Sequence, residues 1–241
     1  MDSSSATPPT APEPKRKGDG HQATRFQSGR VLSISAGHAV HDTYTAFLPP
    51  FLPLFIERFV LSRTEAGLLA VFLQLPSLLQ PVIGHASDRL GLRPLVILAP
   101  AIAGVVMTLL GMAPGYGALV LLLLVAGLNA AGLHAIAPVM AGQLSGSRLG
   151  RGMSWFMVGG ELGRTLGPLV AVAAVLHLGF DRMPWLALGG VAASVMLAIR
   201  LRGVAAHTPP RARGPGLRSG LRRMAPVLVP LAAVVSGRVL F

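Results

Sequence analysis

The chain alternates between apolar blocks of about twenty residues and short polar segments, and a helix of that length crosses a hydrocarbon core of ~30 Å. Six blocks fall at about 31–55, 66–86, 95–113, 118–143, 153–178 and 184–201, and a further apolar run begins at about 226. Each predicts a membrane-spanning helix. Gly and Pro recur inside the blocks, as is usual for membrane helices and costly in soluble ones. The expected fold is therefore an all-α membrane protein. Residues 1–30 form a disordered tail, 31–201 a six-helix transmembrane bundle, 202–225 a linker and 226–241 the start of a seventh helix. The tail has no apolar core and so is not a signal peptide. The linker is rich in Pro, Gly and Arg, with no periodic apolar face.

Charge orients these spans. The tail carries Lys15, Arg16, Lys17, Arg25 and Arg30; two spans later come Arg89 and Arg93, and two more bring Arg148 and Arg151. After the sixth block come Arg200, Arg202, Arg211, Arg213, Arg218, Arg222 and Arg223. The intervening loops hold Arg58, Arg63 and Arg182, nearly balanced by Glu57, Glu65 and Asp181. Every second loop is basic, which places the N-terminus, the tail and the linker in the cytoplasm and the protein in the inner (plasma) membrane.

Composition agrees: 52% of residues are hydrophobic and only 12% charged, against about a quarter charged in a soluble domain. The net charge of +12 belongs to the tail and loops without interleaved aromatics, so nucleic acid is not an expected partner. Cysteine is absent, which excludes disulfides and thiolate metal sites. No nucleotide-binding loop or nucleophile–base arrangement appears, so neither an enzyme nor a cofactor is expected.

Candidate chemistry lies inside the blocks. Ser35, His38, His41, Asp42 and Thr45 share one face of the first span, with Asp42 roughly 18 Å above Arg30 and hence near mid-membrane. An ionisable group at that depth costs at least ~2.5 kcal/mol on the insertion scale and should face protein or a water cavity. The spacing suits a proton-accepting carboxylate with histidines that relay charge; the plainer alternative is an interhelical hydrogen-bond cluster with a neutral Asp42. His38, His41 and Asp42 also have the residue types for a metal ion, although no metal is expected. In the fifth span Glu161 and Arg164, spaced i,i+3, can pair, either to bind a polar substrate or as a self-satisfied buried ion pair. His134 is a cavity candidate in the fourth span, while Gln74 and Asn129 read as interhelical hydrogen bonds. Gly159, Gly163 and Gly167 recur every fourth residue, a stripe where another backbone can approach, and Pro168 is expected to bend the same helix. Between spans two and three, Gly84 and Gly91 should relieve crowding in a tight charged turn, with Asp88 capping the next helix.

That turn, Gly84-His85-Ala86-Ser87-Asp88-Arg89-Leu90-Gly91-Leu92-Arg93, resembles the loop between spans two and three of major facilitator superfamily transporters, departing at Ala86 and Leu92. Gly37-His38-Ala39-Val40-His41-Asp42-Thr43-Tyr44 and the proline-rich exit Leu48-Pro49-Pro50-Phe51-Leu52-Pro53 are similar to the first span of fosmidomycin-resistance-type drug exporters. Leu75-Pro76-Ser77-Leu78-Leu79-Gln80-Pro81-Val82-Ile83-Gly84 continues the likeness through span two. Gly163-Arg164-Thr165-Leu166-Gly167-Pro168 resembles the antiporter motif of span five, whose final glycines are Ala171 and Val172 here. The resemblance implies one half of a two-half transporter, with the second half missing and the seventh span cut short.

It further implies proton-coupled export of a small molecule. Asp42 would take the proton, with Glu161 as second candidate, and His38, His41, His134 and Arg164 would line the path. Gly84, Asp88, Arg89, Gly91 and Arg93 would form a conformational latch. The competing expectation is a non-transporting half-protein, a remnant or an interaction partner of another membrane chain, unless a C-terminal half or a second copy restores the opposing wall. On this orientation, tags inserted near Gly20 and near Gly214 stay inaccessible to an impermeant reagent outside intact cells. Labelling of either from outside reverses the predicted topology.

Overall fold

In the computed structural model the described residues are 25–91, 93–204, 222, 224–226 and 230. Most of the tail, of the linker beyond Val204 and of the expected seventh helix therefore lies outside them. Helices alone make up the regular structure of the described residues: α1 (Ser28–Thr45), α2 (Leu48–Phe59), α3 (Arg63–Gln74), α4 (Gln80–Leu90), α5 (Arg93–Leu109), α6 (Tyr116–Ser145), α7 (Leu149–Arg182) and α8 (Ala187–Arg200), with short 3-10 turns among them.

The first two expected spans are not single helices, and proline is the reason. Pro49 and Pro50 have no N–H to offer the carbonyls one turn back, so the chain breaks at Ala46–Phe47 and restarts as α2 with both prolines in its first turn. Pro76 likewise falls in the 3-10 segment Leu75–Leu79 that separates α3 from α4. The entry to α3 is a capping box: Ser62 Oγ accepts from Glu65 N–H at 3.2 Å, and Glu65 Oε2 accepts from Ser62 N–H at 2.8 Å.

Three continuous helical stretches among the described residues are long and apolar enough to cross a membrane. They are Arg63–Ser87, Arg93–Met112 and Tyr116–Arg200, the last holding α6, α7 and α8 in 85 residues.

Several expectations need correction. The tail was expected to reach residue 30, but α1 begins at Ser28, and Gln27 N–H donates to Leu144 O at 2.9 Å. The charged turn is shorter than expected because α4 runs on to Leu90. Asp88 therefore sits in the last turn of α4 rather than capping α5, and the side chains of Asp88 and Arg89 lie outside the description. Gly91 ends α4 in the left-handed region (φ 63°), as a glycine there should. Gly84 relieves no crowding, since a Cβ at that position meets open space. Helical dihedrals continue through Pro168, and α7 first leaves them at Gly179 (φ 69°). One residue before the proline, Gly167 packs against Thr43 O of α1 and Ala46 Cβ just beyond α1.

The bundle is organised around α1, which packs against α5, α6 and α8 and most extensively against α7. Glycine permits that contact. A Cβ on Gly159 would collide with Ser35 O, one on Gly163 with Ala39 O, and one on Gly167 with Thr43 O. The stripe expected from the sequence is thus the line along which two helix backbones meet. Two apolar cores flank the middle of α1. One gathers Val31, Ile34, Val96, Leu133, Phe156 and Leu197, and the other Tyr44, Phe47, Phe51, Phe55, Met107 and Leu119. Tyr44 O–H donates to Leu186 O at 2.5 Å and accepts from Gly190 N–H at 3.1 Å, tying α1 to the start of α8.

Gly163→Val should overpack the α1–α7 seam and cost about 1–3 kcal/mol. The change reads as a lowered thermal unfolding midpoint of the purified chain, while Gly84→Ala, facing open space inside α4, does not lower it. Tyr44→Phe removes one buried hydrogen-bonding group and should cost about 1–2 kcal/mol in the same assay.

Candidate functional site

Between the two apolar cores lies a polar layer built by three helices. From α1 come His38, His41 and Asp42, which are 3%, 0% and 2% exposed. Helix α6 adds His134, and α7 adds Arg164 with Glu161. Asp42 is the hub. Its Oδ1 accepts from His41 Nδ1–H at 2.9 Å and lies 3.6 Å from His134 Nε2. Its Oδ2 lies 3.3 Å from His38 Nε2 and 3.8 Å from Arg164 Nε. His38 and His134 meet each other as well, Nε2 to Nε2, at 3.3 Å.

Backbone carbonyls orient both of these rings. A carbonyl oxygen only accepts, so His38 Nδ1–H donates to Phe156 O at 3.0 Å and His134 Nδ1–H donates to Ala130 O at 2.8 Å. His38 also stacks on the Phe156 ring, with centroids 4.2 Å apart. Gly160 makes room for it, since a Cβ there would run into the His38 imidazole. Gly163 does the same for Asp42, whose Cβ would lie 3.0 Å from an added methyl.

Of the five polar residues expected on one face of α1, the structure brings three together. Ser35 and Thr45 turn back on their own helix, donating to Val31 O and Asp42 O. The expected Glu161–Arg164 pair is present, with Arg164 Nη2 donating to Glu161 Oε1 at 2.7 Å. It is not a buried pair, however. The two side chains are 64% and 52% exposed, and Arg164 bridges from Glu161 to Asp42. Asn129 makes the expected interhelical bond, donating to Ala99 O at 3.0 Å, and Gln74 is exposed. Arg93 donates to Val204 O at 3.3 Å, just beyond α8. Phe156 and Gly160 are not among the residues expected from the sequence. Gly160 stands one position off the glycine stripe, and that doubling of Gly159 was the visible sign.

The grouping that comes closest to a metal site is also not the expected one. His38, Asp42 and His134 each bring a ligand atom to within 4.8 Å of the others, and His41, whose Nδ1–H donates to Asp42 Oδ1, is not part of that group. Arg164 puts a fixed positive charge 3.8 Å from the same carboxylate, which opposes a divalent ion there. A proton brings half that charge and needs one lone pair rather than a coordination shell, so the same guanidinium opposes it less.

A helical bundle with apolar membrane-crossing stretches and a carboxylate–histidine layer at its centre is the architecture of a polytopic membrane transporter. The sequence model of the Major Facilitator Superfamily matches residues 34–241, and the chain belongs to that family. It is an integral membrane protein. It is 30% identical over 175 residues to the Fosmidomycin resistance protein of Escherichia coli (strain K12), covering 72% of this chain and 43% of that protein. It is 26% identical over 173 residues to the Uncharacterized MFS-type transporter YfnC of Bacillus subtilis (strain 168), covering 69% of this chain and 41% of that one. The chain thus spans about two-fifths of the length of these curated relatives.

Proposed function

We infer that the chain supplies the substrate- and ion-handling bundle of a secondary transporter that exports a small molecule in exchange for protons. One observation carries this reading: a buried carboxylate in the centre of the bundle is ringed by three histidines and an arginine on three helices, and one side of the ring is open. Intramembrane ionisable clusters of this kind mark ion and substrate paths, because mere packing gives no return on their desolvation. The orientation that fits has six crossings with the N-terminus in the cytoplasm of the inner membrane. Glu161 and Arg164, exposed beside the cluster, are the residues placed to meet substrate. The turn from Gly84 to Arg93 is the cytoplasmic latch of the same scheme.

A second reading is favoured by the open side itself. Alternating access moves one bundle against another around a central site. The described residues form one bundle, and Glu161 and Arg164 look outward from it. On this reading the opposing wall comes from another membrane chain, and the 241-residue chain does not transport alone.

Tolerance to fosmidomycin, the compound in the E. coli relative's name, is the accessible test. Drug-sensitive cells express the chain alone or together with the C-terminal bundle of that relative. Export predicts a several-fold rise in tolerated drug in at least one arm, abolished by a protonophore and by Asp42→Asn with the protein still inserted. The amide keeps the shape of the carboxylate without its charge. A rise only in the paired arm selects the second reading. A rise that survives both the protonophore and Asp42→Asn removes proton coupling at this cluster.

A further inference from the structure

We propose that the coupling proton resides on imidazole nitrogen at the His38–His134 contact, with Asp42 remaining a carboxylate throughout, and that His134 is the group through which the proton enters and leaves. The proposal rests on the proton-coupled reading above and says which atoms carry it out.

Tautomers supply the first step. His38 and His134 each commit Nδ1–H to a backbone carbonyl, so each neutral ring presents a bare Nε2 lone pair toward the other ring. These two lone pairs lie 3.3 Å apart and face the Asp42 oxygens at 3.3 and 3.6 Å. With both rings neutral, four lone-pair-bearing atoms converge in a region of low dielectric, and no hydrogen lies between them. One proton on either Nε2 resolves the conflict at once. It makes that nitrogen a donor to its neighbour or to the carboxylate, and the other nitrogen an acceptor.

Charge supplies the second step. The ionisable groups facing this point are His38, His41 and Asp42 from α1, His134 from α6, and Arg164 and Glu161 from α7. Helices α5 and α8 also pack on α1, but their Lys, Arg, Asp, Glu and His content is confined to Arg93 and Arg200 at their ends. Two carboxylates against one guanidinium leave a single negative charge, and one imidazolium neutralises it. A proton on Asp42 would give the same total but would take away the negative charge that Arg164 faces at 3.8 Å and weaken the acceptor to which His41 donates at 2.9 Å. Asp42 already has a donor in His41 Nδ1–H and a cation in Arg164, whereas the two facing Nε2 atoms have neither, so the place for a proton is on the nitrogens.

Exposure supplies the third. The His134 side chain is 34% exposed, whereas those of His38 and Asp42 are each 3% exposed and that of His41 is 0%. His134 alone among the three rings offers a route to water, and the proton leaves its Nε2 for a water molecule on the open side. The His134 ring then returns to the neutral Nδ1–H form.

The test needs no transport. The purified 241-residue chain, with histidine rings labelled with nitrogen-15, is reconstituted in lipid and titrated from about pH 9 to about pH 5. Ring signals are assigned by their loss in His38→Gln and His134→Gln. At high pH both rings should show a protonated Nδ1 and a bare Nε2. On acidification one proton in total should appear on the Nε2 pair, and in His134→Gln the His38 ring should keep its Nδ1–H while the shared proton is lost. Infrared spectra over the same range should show no protonated-carboxyl stretch that vanishes in Asp42→Asn. Appearance of that stretch while both Nε2 atoms stay bare would move the proton to Asp42 and overturn the proposal, leaving the coupled reading intact. Failure of either group to titrate overturns it too. Loss of the coupled reading itself shows separately, as drug tolerance indifferent to Asp42→Asn.

Discussion

A carboxylate in the middle of an apolar bundle is unstable unless everything around it is arranged to hold it, and the central geometry of this chain follows from that requirement. Removing a single charge from water costs several kcal/mol even after relaxation, a large fraction of a domain's net stability. Asp42 meets that cost with one short hydrogen bond from its neighbour His41, two imidazole edges from separate helices and a guanidinium from a third. These partners need α1, α6 and α7 to stand at fixed depth relative to one another. The polar layer is therefore a registry device as well as a site, with an apolar core on either side to exclude water from all but its open edge.

Close approach of backbones makes such registry possible. Along α7, Gly159, Gly163 and Gly167 let α1 settle against the helix axis, and Gly160 opens the pocket that the His38 ring fills. Any of these positions with a side chain would push α1 away and lengthen the contacts to Asp42 that depend on it. Phe156 completes the arrangement from the same helix by offering both a ring to stack on and a carbonyl to bind. Four glycines and one aromatic on α7 thus decide which face of α1 is buried and which tautomer His38 adopts.

Much of this was legible in the sequence, for definite reasons. Apolar blocks of about twenty residues mark an all-helical membrane protein because lipid tolerates little else, and the i,i+3,i+4 spacing of His38, His41 and Asp42 survives any shift in helix ends. The glycine stripe was visible for the same reason of periodicity. What could not be read were effects that depend on a second element. Ser35 and Thr45 share the polar face of α1 but satisfy themselves on their own backbone, which spacing alone does not reveal. His134 is a lone histidine in an apolar helix, and only the packing of α6 on α1 brings it to Asp42. The broken first span had a local cause in Pro49 and Pro50, but hydropathy averages across such a break. Glu161 and Arg164 were readable as a pair and not as an exposed one, since exposure is a property of the assembled bundle.

The exposure of that pair links structure to function. A cluster sealed on every side would be a stability element with fixed protonation, and a cluster open on every side would be hydrated and lose its coupling. Here burial is graded: His41 and Asp42 are enclosed, His134 is one-third exposed, and Arg164 and Glu161 are more than half exposed. Arg164 touches both ends of the gradient, Glu161 at 2.7 Å and Asp42 at 3.8 Å. On the proposed exchange of substrate for proton, a ligand that engages Arg164 from the open side would compete with Asp42 for the same guanidinium, and a proton arriving through His134 would change how strongly Asp42 holds it. Substrate and proton would then act on one shared contact, the differential interaction that linked equilibria require. The two need never touch each other.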